Sequence, residues 1–395
     1  MSEPSPAAER VPVTVLCGPL GAGKTTLVNR LLDDPGGRRI AVLVNDVGEL
    51  NVDAELIRGR TDGGVVDLSN GCICCRLRDD LVTEATRVAR EREFDYLLVE
   101  ASGISEPLPV ARALTTPGAD GAPDPTERLR LDTVVAVVDA YGFRKAFDPA
   151  ESLPDAVEPE RPLAEVMVDQ VEFCDVVLLN KCDRVPEDEL DAVEAAVREL
   201  QPSAALHRTS HCDVAPGVVL GTDRFDLDRA RRAPGWKRAL AREAGDGDGD
   251  ARTDEGPGRG HDHDHEHEHD HGHDAESAAE RHDVATVVYE RSRPFHPGRF
   301  DAWLDGWDGD VVRAKGFCWV ASRPTAVLGL SRAGPAVRVG PIGEWGEDEP
   351  ATRLVFIGYD LDADGLPAAL DACLASDAER EAGFDPDADP FPRES

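Results

Sequence analysis

The chain has 395 residues, of which 41% are hydrophobic, so it is long enough to form two folded domains with cores of their own. Its 78 Asp and Glu residues outnumber its 43 Lys and Arg residues, and a formal net charge of -35 repels nucleic acids and anionic lipid surfaces. We expect a cytoplasmic protein with no nucleic acid or membrane partner, because the N-terminus shows no secretory signal pattern and no apolar run reaches the roughly 20 residues that cross a bilayer.

Short runs rich in Val, Leu and Ile alternate with amphipathic stretches as far as Pro234. The apolar runs predict buried strands at residues 13–17, 40–44, 96–99, 133–138 and 176–179. The amphipathic stretches predict crossover helices at residues 24–32, 77–92 and 187–200. This alternation indicates an α/β fold with a mostly parallel sheet covered by helices on both faces, and we assign it to a first domain at residues 11–234.

A phosphate-binding loop follows the first predicted strand. Residues 18–25 match the pattern G-x-x-x-x-G-K-[ST], in the strand, loop and helix context that this pattern needs. The backbone amides of such a loop converge on phosphate oxygens, Lys24 reaches the β and γ phosphates, and Thr25 offers its hydroxyl to Mg²⁺. We therefore expect a P-loop NTPase in which Lys24 and Thr25 take part in catalysis. The residues expected to bind the nucleotide here are Gly18, Gly21, Ala22, Gly23, Lys24, Thr25 and Thr26.

Two later strand ends complete the predicted nucleotide site. Glu100 follows the predicted strand at 96–99, where P-loop enzymes place an acidic residue near Mg²⁺, so it is a catalytic candidate. Asn180, Lys181 and Asp183 follow the strand at 176–179 and match the guanine-reading pattern N-K-x-D. A carboxylate at Asp183 accepts hydrogen bonds from guanine N1 and N2, and adenine lacks these donors. GTP is therefore expected in preference to ATP.

Three cysteines lie close together after a strand-like run at residues 64–68. Cys72, Cys74 and Cys75 form a C-x-C-C pattern, and soft thiolates favour zinc or Cu(I) over Mg²⁺ or Ca²⁺. Three thiolates leave one tetrahedral position open, which suits a site that transfers its metal. Buried structural cysteines or a redox pair are the alternatives, although adjacent cysteines rarely reach good disulfide geometry. The other cysteines are scattered along the chain, and we expect them in core or incidental positions.

The composition changes abruptly within residues 235–283. This stretch is rich in Gly, Asp, Glu and His and has almost no large apolar side chain, so we expect a disordered linker. Alternating imidazoles and carboxylates bind divalent ions weakly, and the alternative is an acidic solvated linker whose histidines have no specific role. The histidines expected to bind metal are His261, His263, His265, His267, His269, His271 and His273.

A second set of predicted elements follows the linker. Apolar and aromatic residues predict strands at residues 285–289, 317–321 and 353–359, with helices at residues 297–304 and 366–374. We therefore expect a small α+β C-terminal domain at residues 284–375. Residues 376–395 form an acidic, proline-containing tail that we expect to be mobile.

These features, in this order, resemble the CobW-type metallochaperone GTPases, a family that includes the zinc-regulated GTPase metalloprotein activators. In the first domain the resemblance rests on residues 18–25, Asn45-Asp46-Val47-Gly48-Glu49, Gly71-Cys72-Ile73-Cys74-Cys75, Glu100-Ala101-Ser102-Gly103 and residues 180–183. The His-rich linker and residues 293–297, 313–317 and 354–358 extend it over nearly the whole chain. Asp46 and Val47 stand where the family usually has Glu and Phe, and Ala101 stands where it usually has Ser.

The resemblance implies a GTPase that uses GTP and Mg²⁺, binds Zn²⁺ through the Cys-x-Cys-Cys site and delivers it to a client metalloprotein. Glu49 matches the family pattern, and we carry it over as a fourth metal ligand or as a catalytic switch residue. Insertion of Co²⁺ or Ni²⁺, or a zinc buffer with little turnover, stays open as an alternative. The oligomeric state also stays open, a homodimer included.

Overall fold

The computed structural model describes residues 10–44, 65–67, 76–91, 93–117, 123–147, 162–232, 234, 237, 284–307, 309–385 and 388–393. The segment at residues 45–49, the cysteine cluster at residues 72–75 and the His-rich tract lie outside the described residues. Where the chain is described, no helix is both long enough and apolar enough to span a bilayer.

The N-terminal region is built on one parallel sheet. Its strands are β1 (Val11–Cys17), β2 (Ile40–Val44), β3 (Val65–Asp67), β4 (Tyr96–Glu100), β5 (Leu129–Asp139), β6 (Val176–Asn180) and β7 (Ala205–Arg208). They lie in the order β3-β2-β4-β1-β5-β6-β7, and every neighbouring pair is parallel. The prediction of a mostly parallel sheet is therefore confirmed. Because the strands share one direction, all their carboxyl ends lie at one edge of the sheet.

Helices connect these strands and cover both faces of the sheet. They are α1 (Lys24–Asp33), α2 (Arg76–Glu91), α3 (Pro107–Thr115), α4 (Ala140–Phe147), α5 (Leu163–Glu172), α6 (Glu187–Leu200) and α7 (Leu227–Arg232). Side chains of β1 alternate between the faces, since Val13 and Val15 pack in one apolar cluster and Leu16 packs in the other. Both faces are therefore buried, which explains why the strands read as continuous apolar runs.

Some elements of this region escaped the sequence analysis. Helix α3 carries Pro107 and Pro109, which obscure a helical pattern although proline is compatible with a first turn. Strand β7 has only four residues, all partly buried, so it shows no apolar run. Helices α4 and α5 were also not predicted.

The C-terminal region contains a second sheet. Its strands are β8 (Val284–Arg291), β9 (Val311–Cys318), β10 (Ala326–Ala333), β11 (Ala336–Glu344) and β12 (Thr352–Tyr359). They lie in the antiparallel order β11-β10-β9-β12-β8. With α8 (Pro297–Gly306) and α9 (Gly365–Ala372), this sheet confirms the predicted α+β class.

The strand predicted at residues 317–321 is wrong in position. The observed strand β9 begins at Val311 and ends at Cys318, and Val320 forms only an isolated bridge with Phe295. Arg313 and Lys315 interrupt the apolar pattern of β9, which is why the sequence did not reveal its start. The hairpin of β10 and β11 was also missed, because β11 is largely exposed and shows no apolar alternation.

The described part of the acidic tail packs against the C-terminal domain, which differs from the expected mobility. Helix α10 (Asp377–Ala382) begins with a capping box. Phe391 is 5% exposed, and its ring centroid lies 5.9 Å from that of Phe300. Arg323 forms an ion pair with Asp389, Nε to Oδ2, at 2.8 Å. A buried aromatic ring and a matched ion pair give the tail contacts that its acidic composition does not reveal.

We predict that Phe391→Ala lowers the free energy of unfolding of the C-terminal domain by about 3 kcal/mol, because truncation of a buried Phe leaves a cavity. Urea unfolding followed by tryptophan fluorescence measures this, since Trp303 stacks on Phe300 at a centroid distance of 6.2 Å. Phe384→Ala is the matched control, because this ring is only half-buried against His296 and should contribute clearly less. Equal losses in the two variants would contradict a docked tail.

Candidate functional site

Three glycines shape the loop between β1 and α1. Gly18, Gly21 and Gly23 have φ angles of 141°, 77° and 118°, a region that other residues avoid. A Cβ atom at Gly18 would lie 2.3 Å from the carbonyl oxygen of Val137, and one at Gly23 would lie 2.4 Å from Nδ2 of Asn180. The loop therefore requires glycine both for its backbone conformation and for its close approach to β5 and β6.

Lys24 is buried at the first position of α1, with 7% of its surface exposed. Its ammonium group donates to the carbonyl oxygens of Gly18 at 2.8 Å and Pro19 at 3.2 Å, so the side chain folds back over the loop. Gly23 is the N-cap of α1 and provides no side-chain acceptor to the first N–H groups of the helix. The ammonium group and the helix N-terminus together form a positive site that suits a phosphate.

Thr25 and Glu100 form the adjoining part of the site. The hydroxyl of Thr25 donates to Oε1 of Glu100 at 3.0 Å, and Glu100 is 2% exposed. Leu16 lies opposite Glu100 in the sheet, which brings the end of β4 next to the P-loop. A hydroxyl and a carboxylate are the hard oxygen ligands that Mg²⁺ prefers. The pair therefore fits Mg²⁺, and Thr25 and Glu100 would hold the ion beside the phosphates.

Asn180 joins the P-loop to the loop that follows β7. Its Nδ2 donates to the carbonyl oxygen of Ala22 at 2.8 Å, and its Oδ1 accepts from the backbone N–H of Cys212 at 2.9 Å. With 2% of Asn180 exposed, both hydrogen bonds are shielded from water. The sequence analysis assigned Asn180 to guanine binding, and the structure shows its amide holding two loops of the site together.

Lys181 and Asp183 lie on the opposite side of the P-loop from Glu100. Lys181 has a φ angle of 65°, and its ammonium group pairs with Oδ2 of Asp139 at 2.6 Å. The backbone N–H of Asp183 donates to Oγ of Ser210 at 3.2 Å, and the residue is exposed. An accessible carboxylate at this position suits a base with N–H donors along one edge, as guanine has.

Two features of this edge escaped the sequence analysis. Asp139 ends β5, accepts hydrogen bonds from two backbone N–H groups in the first turn of α4 and pairs with Lys181. The loop at residues 209–213 supplies Ser210 and Cys212 to the site. The polar residues at 209–213 were the available signal for this loop. Because strand β7 was not predicted, nothing in the sequence placed the loop at the edge of the sheet.

The scattered cysteines of the described chain lie in the core. Cys17, Cys174, Cys212, Cys318 and Cys373 are buried and Cys182 is partly buried. Burial raises the pKa of the Cys17 thiol to about 12, so it stays protonated at neutral pH. No group of three His, Cys, Asp or Glu side chains that could hold a metal occurs among the described residues. The predicted ligands outside them, at residues 49, 72, 74, 75 and 261–273, stay predictions.

The predicted metal-binding segments are nevertheless bounded by described elements. Strand β2 ends at Val44 opposite Glu100, and β3 ends at Asp67 opposite Val44. Since these adjacent strands are parallel, the carboxyl ends of β2 and β3 both lie at the edge of the sheet that holds Glu100. Helix α2 begins at Arg76, the residue directly after Cys75.

Comparison with known proteins identifies relatives of this chain. Residues 12–208 match the family model "CobW/HypB/UreG, nucleotide-binding domain", and residues 284–374 match "Cobalamin synthesis protein cobW C-terminal domain". Zinc-regulated GTPase metalloprotein activator 1 of Dictyostelium discoideum is 34% identical, over 95% of this chain and 82% of that protein. Zinc chaperone CobW of Pseudomonas aeruginosa is 30% identical, over 94% of each chain. The zinc-bound crystal structure of the E. coli GTPase YjiA is 20% identical, covers 92% of this chain and 99% of its own, and has a TM-score of 0.40.

We predict that Asn180→Ala weakens the binding of a magnesium nucleoside triphosphate about tenfold or more, because two buried backbone groups lose their partner and the P-loop loses a tether. Isothermal titration with GTP and Mg²⁺ measures the effect. Asn29→Ala is the matched control, since Asn29 lies on α1 and its Oδ1 has no hydrogen-bond partner in the described structure. A folded Asn180→Ala variant that binds as tightly as the wild type would contradict the tethering role.

Proposed function

The chain belongs to the CobW family, and we propose that it is a GTPase that binds zinc and uses GTP turnover to deliver the metal to a client metalloprotein. One observation carries the proposal. The ends of β3, β2 and β4 are adjacent, and the segments that contain Glu49 and the cysteine cluster follow β2 and β3 in the chain. A nucleotide site and a thiolate site tethered to neighbouring strand ends can influence each other.

In the proposed nucleotide site, each group at the carboxyl edge of the sheet has one task. The P-loop amides and Lys24 bind and neutralise the phosphates, while Thr25 and Glu100 would hold Mg²⁺. When bound, this ion neutralises charge that develops on the β and γ phosphate oxygens. Asp183 reads the guanine edge, and the adjacent backbone of residues 209–213 bounds the base.

In the proposed metal site, Cys72, Cys74 and Cys75 bind zinc as cargo. Three thiolates favour zinc, and the fourth position falls to Glu49, to water or to a ligand of the client. The seven histidines from His261 to His273 would raise the local concentration of divalent metal. Co²⁺ or Ni²⁺ remains the alternative cargo, because the order of affinities does not decide which metal a cell supplies. Names of relatives support zinc, since two of them are described as zinc chaperones or as zinc-regulated.

We infer coupling because residues 45–49 lie in the chain between the phosphate-binding loop and the cysteine cluster. Occupation of either site would change the free energy of ordering this segment. Each ligand then changes the affinity for the other by the same factor. Metal with GTP favours the client-binding state, and hydrolysis releases the metal.

A zinc buffer is the second candidate function, and the alternating His and acidic tract favours it. A buffer binds several metal ions per chain and hydrolyses GTP negligibly. Equilibrium dialysis with zinc, together with multiple-turnover GTP hydrolysis, separates the two functions.

We predict that zinc changes the kcat of GTP hydrolysis about fivefold or more in the wild type, the scale of typical coupling free energies. Replacement of Cys72, Cys74 and Cys75 by Ser removes this zinc effect and preserves the GTP affinity measured without zinc, because the thiolates bind metal and not nucleotide. Phosphate release is measured against free zinc for both proteins. Cys373→Ser is the control, since this thiol donates only to backbone carbonyls within the C-terminal domain. Equal turnover with and without demonstrably bound zinc would refute the coupling.

We predict that Asp183→Asn weakens GTP binding about 100-fold, because charge-assisted hydrogen bonds to guanine N1 and N2 are lost. The amide instead donates to the O2 atom of xanthine, so binding of xanthosine triphosphate strengthens. Competition against a fluorescent guanine nucleotide measures both affinities, with ATP as the reference for a base that fits neither side chain. An unchanged preference for GTP would show that another residue reads the base.

A further inference from the structure

Gln170 connects α5 to the loop that follows Glu100. Its Nε2 donates to the carbonyl oxygens of Gly103 and Ser105, both at 3.2 Å. Gln170 is 1% exposed, so water does not compete for these bonds. A primary amide nitrogen carries two hydrogens, which suits two carbonyl acceptors on one loop.

This loop touches the nucleotide site directly. A Cβ atom at Gly103 would lie 2.8 Å from the backbone nitrogen of Leu20 in the P-loop. The outer side of the contact faces solvent, since Leu20 is 86% exposed and Ile104 is 62% exposed. Gln170 holds the inner side of this loop through the carbonyl groups of Gly103 and Ser105, directly after the end of β4 that carries Glu100.

A second face of α5 binds the C-terminal domain. Arg313 of β9 is 1% exposed and forms a bidentate pair with Glu172, with Nε to Oε1 at 2.9 Å and Nη2 to Oε2 at 3.2 Å. Asp169 adds a longer contact at 3.5 Å, and Arg338 pairs with Glu165 one turn earlier at 3.1 Å. A buried bidentate ion pair of this kind has a defined geometry, so it transmits the position of the helix to β9.

The geometry of an α-helix places these two faces on one rigid element. Asp169 and Glu172 are three positions apart and lie on the same side, while Gln170 is rotated by about 100° from Asp169. A shift of α5 against β9 must therefore move the amide that holds Gly103 and Ser105.

Two observations indicate that the packing around α5 leaves room for a shift of this helix. A cavity of about 620 Å³ lies between α5 and the second sheet, lined by residues that include Pro107, Phe173 and Lys315. The Oε1 atom of Gln170 is buried and has no hydrogen-bond partner in the described structure. Open space beside the helix and an unsatisfied amide oxygen leave room for a second arrangement.

We propose that Gln170 is a positioning residue for GTP turnover and that Arg313 couples it to the C-terminal domain, so that this domain adjusts hydrolysis in cis through α5. The inference rests on the proposed GTPase function. Gln170 acts on the loop after Glu100 and touches neither phosphate nor base. Its loss therefore lowers kcat while the affinity for nucleotide is preserved.

The first test uses variants of similar shape. Gln170→Met retains side-chain volume without hydrogen bonds, and Gln170→Glu retains an acceptor without donors. Both should lower kcat about tenfold and leave KM and the Kd of GDP within about twofold, the pattern of an interaction that is made only in the transition state. A fall in affinity equal to the fall in kcat, or no change in either, would overturn the positioning role.

The second test asks whether Arg313 acts through the same helix. Arg313→Lys retains the charge, so Glu172 is not left alone, but it loses the bidentate geometry. The Gln170→Met and Arg313→Lys double variant should be no slower than the slower single variant, because both changes release the same element. Rate losses that multiply would show independent effects and overturn the coupling. Arg291→Lys is the control for the change of side chain, since Arg291 forms an exposed bidentate pair with Asp371 within the C-terminal domain.

Hydrogen exchange separates this inference from the proposed function. The backbone of β9 (Val311–Cys318) should exchange at different rates with GDP and with a non-hydrolysable GTP analogue, and Gln170→Met should remove the difference. This measurement requires nucleotide binding but no turnover. A wild type that binds GTP without hydrolysis would refute the GTPase proposal, and β9 would still report whether α5 couples the domains. Identical exchange of β9 in both nucleotide states of the wild type would overturn the inference.

Discussion

The parallel direction of the strands in the first sheet is the constraint on which the rest of the site depends. Parallel pairing places the carboxyl ends of all the strands at one edge of the sheet, so residues that are far apart in sequence become neighbours there. Glu100, Asp139 and Asn180 end the strands β4, β5 and β6, the P-loop follows β1, and these strands lie side by side in the order β4-β1-β5-β6. The groups proposed to bind phosphate, metal and base are thus ordered along this edge by the order of the strands.

Strand order does not determine the distances between the loops at this edge, and buried hydrogen bonds fix them. Asn180 spans from the P-loop to the loop after β7, and Gln170 spans from α5 to the loop after β4. Each amide replaces water at backbone groups that would otherwise be buried without partners. The site is therefore held by side chains that need not contact the nucleotide. Such residues act on the nucleotide through the position of the loops that they hold.

The sequence was informative where function depends on local patterns. The P-loop, Glu100 and the Asn180 to Asp183 segment were found because strand, turn and helix signals are contiguous there. Arg313 was hidden for the opposite reason, since an arginine in a strand suggests exposure, and its burial depends on Glu172, which lies 141 residues earlier in the chain. Long-range charge pairing and the short strand β7 leave no local signal, so neither the domain interface nor the loop at residues 209–213 could be placed.

Ala101 differs from the residue that the family usually has, and its surroundings explain why an alanine is compatible with the site. The family usually has Ser there, so a hydroxyl with a role in the site was an open question. Ala101 is 1% exposed and packs within the apolar cluster of the sheet, while its backbone N–H donates to the carbonyl oxygen of Leu16 at 2.9 Å. That hydrogen bond aligns β4 with β1 whatever side chain is present. A methyl group suits the apolar surroundings, and a hydroxyl would require a partner there. The alignment of Glu100 with the P-loop therefore depends on the backbone at this position and not on the residue that the family prefers.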